Sequence, residues 1–284
     1  MDKMIESRYH EIRPGRGWFD WNLREVWNYR DLLYLLVRRD IVTVYKQTVL
    51  GILWFIIPPV LNTITYFIIF GLIAKLPTDG VPPILFYLCG LLPWSFFSDS
   101  VNRTSVTLRA NANMFGKVYF PRVIVPLANV LSAMVKFMIQ LIVLMLAVGY
   151  YTFFKQSVSP AWDALWILAP LLAILALTGL AFGLIISSLT TKYRDFIAMV
   201  PFALQLMMYC TPVLFTYESV PSALRWIFEL NPLSPAINAF RYIFTGTGAI
   251  SWGGLAYFSI CSLILGTIGL MVFTKTEKSF MDTV

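Results

Sequence analysis

Few side chains in this sequence are equipped for chemistry, and most of them sit where charge is expensive. Lys136 and Asp99 are ionisable groups within otherwise apolar runs. Such groups inside a membrane face a cavity or a partner. Counted along their helices at 1.5 Å per residue, their depths differ by about 10 Å. Direct pairing is therefore not expected: Lys136 should face water or a polar neighbour, and Asp99 should be interfacial. Cys89, Cys210 and Cys261 each lie in an apolar run without CxxC spacing, so neither a disulfide framework nor a zinc site is supported. His10 is the only histidine, which disfavours histidine metal sites and histidine general-base catalysis. The nearest fragment to a P-loop is Gly116-Lys117-Val118, which lacks the earlier glycine and the hydroxyl. No G-x-S-x-G, H-E-x-x-H or paired intramembrane carboxylates occur. The residues describe a membrane passage without its own motor.

Composition explains why so little chemistry is present. Of 284 residues, 58% are hydrophobic and only 13% charged, with a mean hydropathy of +0.71. Soluble domains carry about a quarter charged residues. A soluble globular enzyme, a disordered tail and a nucleic-acid-binding protein are excluded, and no nucleic-acid partner is expected despite the net charge of +7.

A spanning helix needs about 20 apolar residues. Six runs qualify, roughly 49–74, 84–104, 123–150, 164–188, 196–216 and 250–273. The second is the weakest, because Ser98, Asp99 and Ser100 interrupt it. The fold class expected is an all-α integral membrane protein with six transmembrane helices. Residues 1–48 form a cytoplasmic segment, too long and too mixed in charge for a signal's basic head, and 49–284 form one membrane domain. Lysine and arginine set the orientation. The amino-terminal segment holds nine, the stretch 102–122 holds Arg103, Arg109, Lys117 and Arg122, and Lys192, Arg194, Lys275 and Lys278 share their side. Only Lys75, Lys155, Arg225 and Arg241 fall opposite. Both termini are therefore expected in the cytoplasm.

Two segments are not simple spans. Residues 22–46 repeat apolar positions at helical spacing among Arg24, Arg30, Arg38, Arg39 and Asp40, the pattern of an amphipathic helix in the membrane interface. Anchoring to anionic lipid and shaping an opening for a lipid-linked anion both fit it. Residues 217–249 hold apolar patches too short to cross, broken by Asn231-Pro232 and Pro235. They read as short re-entrant helices in the outer leaflet, or as an amphipathic loop on it. Pro58-Pro59, Pro201 and Thr211-Pro212 are expected to kink the first and fifth spans.

Three blocks of sequence carry a family resemblance. The first is Arg39-Asp40, then Tyr45 through Trp54, running into Pro58. The second is Gly90-Leu91-Leu92-Pro93-Trp94-Ser95-Phe96-Phe97, followed by Asn111, Lys117 through Arg122 and Pro126. The third is Tyr193-Arg194-Asp195 with Thr211-Pro212-Val213, Pro221, Asn231-Pro232 and Arg241. In order and spacing, from about residue 39 to the end, the chain resembles the permease subunits of bacterial polysaccharide ABC exporters, which move O-antigen, capsule and teichoic-acid polymers. The resemblance implies a homodimer in the bacterial inner membrane, paired with two ATP-binding cassette subunits on separate chains. ATP and magnesium would bind there, with no cofactor or catalytic residue on this chain. It implies a substrate polymer carried on an undecaprenyl-type pyrophosphate and threaded outward along the dimer interface.

On that footing, Arg38, Arg39 and Lys46 are candidates for the lipid pyrophosphate, since guanidinium groups suit bidentate phosphate contact; headgroup anchoring explains them equally. Trp54, Tyr66, Phe67, Phe202, Tyr209, Phe215 and Tyr217 are candidate channel aromatics, able to stack on the C–H faces of sugars; packing and lipid contact are the alternative. Arg109, Met114, Phe115, Lys117, Tyr119 and Arg122 are candidates for coupling to the ATPase, as an apolar anchor in a charged rim. The turn from Thr190 to Asp195 is a further candidate for contact with the ATPase, and Asp195 is alternatively expected to cap the fifth span. Trp226, Glu229 and Arg241 are candidates for an outer gate. Permeases for teichoic acid, capsule, small amphiphiles or drugs are alternatives, as is an ion-coupled carrier; an enzyme acting on lipid-linked sugars would need acidic or metal-binding groups that are missing.

Overall fold

The structure, a computed structural model, describes residues 23–46, 48–115 and 120–280. Residues 1–22, Lys117 and Tyr119 lie outside the described residues, and so do the expectations attached to them. Among the described residues every regular element is a helix. Five stretches are long and apolar enough to cross a bilayer: Gly51–Ile73, Pro83–Ser105, Ile124–Phe153, Trp162–Lys192 and Trp252–Glu277. They fall on five of the six expected runs.

The fifth run is different. Its helix, α9, covers Phe196–Tyr209, 14 residues, or roughly 21 Å against a hydrocarbon core of about 30 Å. Pro201 sits inside it without ending it. Thr211-Pro212 does end it, because proline removes a donor and disfavours helix in the residue before it. The chain then runs on through Thr211, Pro212, Val213 and Leu214, all buried.

The prolines of the first run act in the opposite sense to expectation. This run comprises a 3₁₀ turn over Gly51–Phe55, the helix α3 over Ile57–Tyr66 and a π-helical turn over Phe67–Ile73. Pro58 and Pro59 occupy the first turn of α3. The missing N–H is one of the orphan donors there, so they start the helix instead of bending it.

The run that looked weakest is the centre of the bundle. Helix α4, Pro83–Ser105, has 78% of its apolar window buried, whereas the first span has 11%. A helix mostly surrounded by protein can carry Ser98, Asp99 and Ser100, because neighbouring helices cover much of this face. Helix α8, Leu168–Lys192, lies against α4 through Gly179 and Gly183, spaced as G-x-x-x-G. A Cβ on Gly183 would stand 2.3 Å from Thr104 Cβ, and one on Gly179 would stand 2.7 Å from Ser100 Cβ. Helices in lipid gain little from hiding apolar surface from one another, so close backbone approach supplies the adhesion. Helix α12, Trp252–Phe280, closes on the other side of α8, with Thr178 and Ser262 sharing a hydrogen bond of 2.7 Å.

The remaining elements wrap this centre. Helix α1, Leu23–Asn28, leads into α2, Arg30–Tyr45. Helix α2 packs on α7, Ile124–Phe153, with Leu36 buried and Leu32, Leu33 and Val37 beside the core. Short helices α5, Thr107–Ala110, and α6, Ala112–Phe115, follow α4. At the end of the bundle where α9 breaks, α10, Arg225–Leu230, and α11, Leu233–Thr245, are separated by Asn231-Pro232, matching the short helices expected over this segment. Helix α11 ends at Gly246, φ +69°, where any Cβ would collide with the Ser159 carbonyl at 1.9 Å.

The α4–α8 contact generates a stability prediction. Gly183→Ala forces the two helices apart and lowers thermal stability in detergent by about 1–3 kcal/mol. Thr104→Gly in the same chain relieves the clash and recovers part of the loss. Unfolding followed by intrinsic fluorescence measures both.

Candidate functional site

Three polar constructions interrupt the apolar bundle, one near each end and one between them. The first lies between α2 and the region where α4, α5 and α7 meet. A cavity of about 410 Å³ is lined there by Arg39, Thr43, Arg103, Thr107, Asn111 and Asn129, among others. Asn129 Nδ2 donates to the Arg103 carbonyl at 3.1 Å and to Thr107 Oγ1 at 3.0 Å, which fixes the wall. Arg39 binds the neighbouring Asp40 carboxylate at 2.9 Å. Of the three residues expected at a phosphate site, only Arg39 lines this recess; Arg38 and Lys46 are exposed outside it. Arg103 was not singled out from the sequence. The available signal was its position one helical turn after Asp99, pointing along the same polar face of α4.

The second construction corrects an expectation. Lys136 Nζ donates to Asp99 Oδ2 at 2.5 Å, as an ion pair between α7 and α4. The depth count failed because it started both helices at one level. Asn129 of α7 already stands opposite Arg103 and Thr107 of α4. Helix α7 therefore begins about a turn and a half beyond the end of α4, and Lys136, seven residues on from Asn129, arrives level with Asp99. The pair lies in a cavity of about 300 Å³ walled by α3, α4, α7 and α9, with Asn62, Tyr66, Ser95, Gln140 and Gln205 around it. Gln140 Nε2 donates to the Phe55 carbonyl at 3.0 Å, tying α7 to the turn that precedes α3.

The candidate channel aromatics divide. Tyr66 lines the ion-paired cavity and stacks on Phe70 at 5.9 Å. Tyr209 accepts a hydrogen bond from Gln205 Nε2, a second residue of that cavity, at 3.1 Å. Trp54 and Phe202 are exposed on the outer faces of their helices. Phe67 packs against the core. Phe215 belongs to the outer layer, edge-on to Phe228 at 5.4 Å.

The third construction holds the chain break after α9. Arg241 is buried, and its Nη2 donates to the Pro212 carbonyl at 2.8 Å and the Val213 carbonyl at 3.2 Å. Its guanidinium lies 3.9 Å from the Phe86 ring centroid. Asn231 Nδ2 donates to the Cys210 carbonyl at 2.9 Å and to Thr211 Oγ1 at 2.8 Å. Gly90 makes room, since a Cβ there would sit 2.4 Å from the Val213 oxygen. Arg241 thus does not join Glu229 in pinning an outer gate: it is drawn inward because the backbone carbonyls left by the broken helix need donors. Glu229 instead accepts a hydrogen bond from the Tyr217 hydroxyl. Trp226 is exposed.

The candidates for coupling to the ATPase turn inward as well. Phe115 is buried against Phe120 at 5.7 Å, and Arg122 lies 5.6 Å from the Phe115 ring centroid. Arg122 also reaches the Glu277 carbonyl at 2.6 Å and its carboxylate at 3.6 Å, joining this region to α12. Phe115 is therefore no exposed anchor and Arg122 no free rim charge. Arg109 is exposed and Met114 half-buried. Asp195 stands before α9 without a side-chain capping bond, so it does not play the capping role expected of it.

Comparison with known proteins gives a consistent set. The family model for the ABC-2 type transporter matches residues 31–245. An O-antigen export system permease protein RfbA of Klebsiella pneumoniae is 30% identical over 253 residues, covering 89% of this chain and 94% of the relative. A protein of the same name from Myxococcus xanthus is 26% identical, over 92% of this chain and 98% of its own length. The polysialic acid transport protein KpsM of Escherichia coli is 27% identical, over 87% and 94%.

The Tyr217–Glu229 bond carries a pH signature. The Glu229 carboxylate accepting the phenol hydrogen holds Tyr217 above the ordinary tyrosine value of 10.0. A raised folded-state value means the contact's stabilisation is fully present below about pH 10 and is lost as pH climbs through the raised value. Hydrogen exchange across 217–230 should stay constant from neutral pH to about pH 9 once corrected for intrinsic rates. Tyr217→Phe should show the faster exchange already at neutral pH.

Proposed function

Because this chain belongs to the ABC-2 type transporter family, we propose that it is the membrane subunit of an ATP-driven exporter of a lipid-linked, O-antigen-like polysaccharide. It works as a homodimer in the bacterial inner membrane with both termini in the cytoplasm. On this reading the 14-residue α9 and the buried stretch that follows it serve as the sixth crossing. Two separate ATP-binding cassette subunits bind ATP and magnesium and supply the force. Arg109, exposed, and Met114, half-buried, contribute to the surface they press on.

The observation that carries this reading is the hydrophilic, ion-paired cavity between the helices that the rest of the chain covers least. Helix α3 and α9 flank α4 there, and both turn large apolar residues outward, among them Leu61, Ile64, Met199 and Phe202. Two copies meeting through α3 and α9 turn these recesses toward each other and enclose a path that a sugar chain can follow. In the α2 recess Arg39 and Arg103 stand beside Asp40, which already pairs with Arg39, so the oxygens of a pyrophosphate meet Arg103 and compete with Asp40 for Arg39. Thr43, Thr107 and Asn111 add neutral hydrogen-bonding partners.

A second reading is favoured by one feature only. An ion-coupled carrier would use the Lys136–Asp99 pair to bind and release a proton or cation. ATP dependence separates the two. In vesicles holding this chain with its partner ATPase, polymer export should require ATP and survive collapse of the ion gradients. Arg39→Glu combined with Arg103→Glu should lower export at least tenfold while dimer and ATPase pairing persist. Export unchanged in that variant rejects the pyrophosphate site, and export driven by an ion gradient without ATP rejects the exporter.

A further inference from the structure

We propose that the cavity around Lys136 and Asp99 is a sugar-binding subsite selective for uncharged residues of the exported polymer. This inference rests on the exporter reading and adds to it the charge class of the glycan and the residues that choose it.

The pair is not sealed. The side chains of Lys136 and Asp99 are 24% and 33% exposed, both toward a recess of about 300 Å³. Closing over the pair would cost both groups their solvation, which their mutual attraction need not offset; the open side leaves that solvation to be replaced by the hydroxyls of an occupant. Its surroundings are open in the same direction. Among the described residues no hydrogen bond engages the Asn62 amide or the Ser95 hydroxyl, and nothing donates to Gln140 Oε1, since its Nε2 alone is occupied by Phe55. Lys136 has two further N–H donors and Asp99 further lone pairs. Donors and acceptors thus converge on one small space from four helices.

The balance of charge decides what fits. A lone lysine at this depth would select anions. Here the carboxylate 2.5 Å away cancels it, so a sulfate, phosphate or sialate gains an ammonium only by approaching a like charge. A sugar hydroxyl meets no such conflict, because it donates to Asp99 while its neighbour on the ring accepts from Lys136. Tyr66 adds an aromatic face beside these groups. Contacts of this kind are numerous and individually weak, which suits a polymer that must move on.

The test uses the full chain with its ATPase partner in nanodiscs and two probes of equal length, a neutral dextran oligosaccharide and its sulfated counterpart. Wild type should bind the neutral probe and bind the sulfated one at least tenfold more weakly. Asp99→Asn should reverse that ratio by uncovering the lysine. The exchange Asp99→Lys with Lys136→Asp should restore it. Asn62→Leu, at an exposed position that bonds nothing, should weaken neutral binding while thermal stability stays at the wild-type value. The proposal is overturned if wild type binds neither probe, if the ratio is the same in Asp99→Asn, or if the variants lose both probes equally along with stability. The underlying reading is judged separately: cells deleted for this gene that still display surface polysaccharide defeat the exporter, whereas loss of display with an unmoved ratio defeats the subsite alone.

Discussion

A bilayer offers no water to a broken helix, and the architecture of this chain follows from where it breaks one. After α9 the backbone leaves helical form at Thr211-Pro212 while still buried. Each unsatisfied carbonyl there would cost several kcal/mol. Arg241 and Asn231 supply the donors, so α11 must stand close enough for the guanidinium to reach Pro212 and Val213. Close approach of the Val213 carbonyl to α4 then demands a glycine, and Gly90 is the residue beneath it. Asn231 serves both sides of the joint, because its Oδ1 also accepts from the Leu233 N–H at the start of α11. One charged side chain and one amide thereby settle where the outer helices lie.

Mechanical character differs across the molecule for a related reason. Helices α4, α8 and α12 meet through small residues and hydroxyls, with hardly any slack between backbones. The first span and α9 touch the centre over narrow strips. The first span also switches from 3₁₀ to α to π geometry within 23 residues. A π turn marks a place where helical hydrogen bonds are re-partnered by one residue, and such places concentrate at functional positions. Rigid centre and loosely covered flank are the arrangement expected where the flank has to yield to cargo.

The helical class, five of the spans and the paired outer helices were legible because composition and run length report membrane burial directly. Contacts between runs were not. Lys136 and Asp99 were judged apart because residue counting fixes depth only relative to a chosen helix end, and α7 starts beyond the end of α4. Phe115 and Arg122 looked like a docking surface because their spacing shows amphipathicity but not which body the apolar side meets; it meets Phe120 and α12. Arg241 looked superficial because it sits among prolines and short helices, and the need it answers arises twenty-nine residues earlier in the chain. Arg103 went unnoticed as one more positive residue in a topology count. The prolines of the first span were read by type, whereas position in the first turn decided their effect.

The Lys136–Asp99 pair also has an electrical meaning. A transmembrane voltage acts on each elementary charge that it moves, at about 2.3 kcal/mol per 100 mV across the full thickness. Two opposite charges held 2.5 Å apart travel together as a small dipole. Any rearrangement that carries α4 and α7 as one body transfers no net charge at this point. The membrane potential gains purchase at this point only on states in which the two side chains separate.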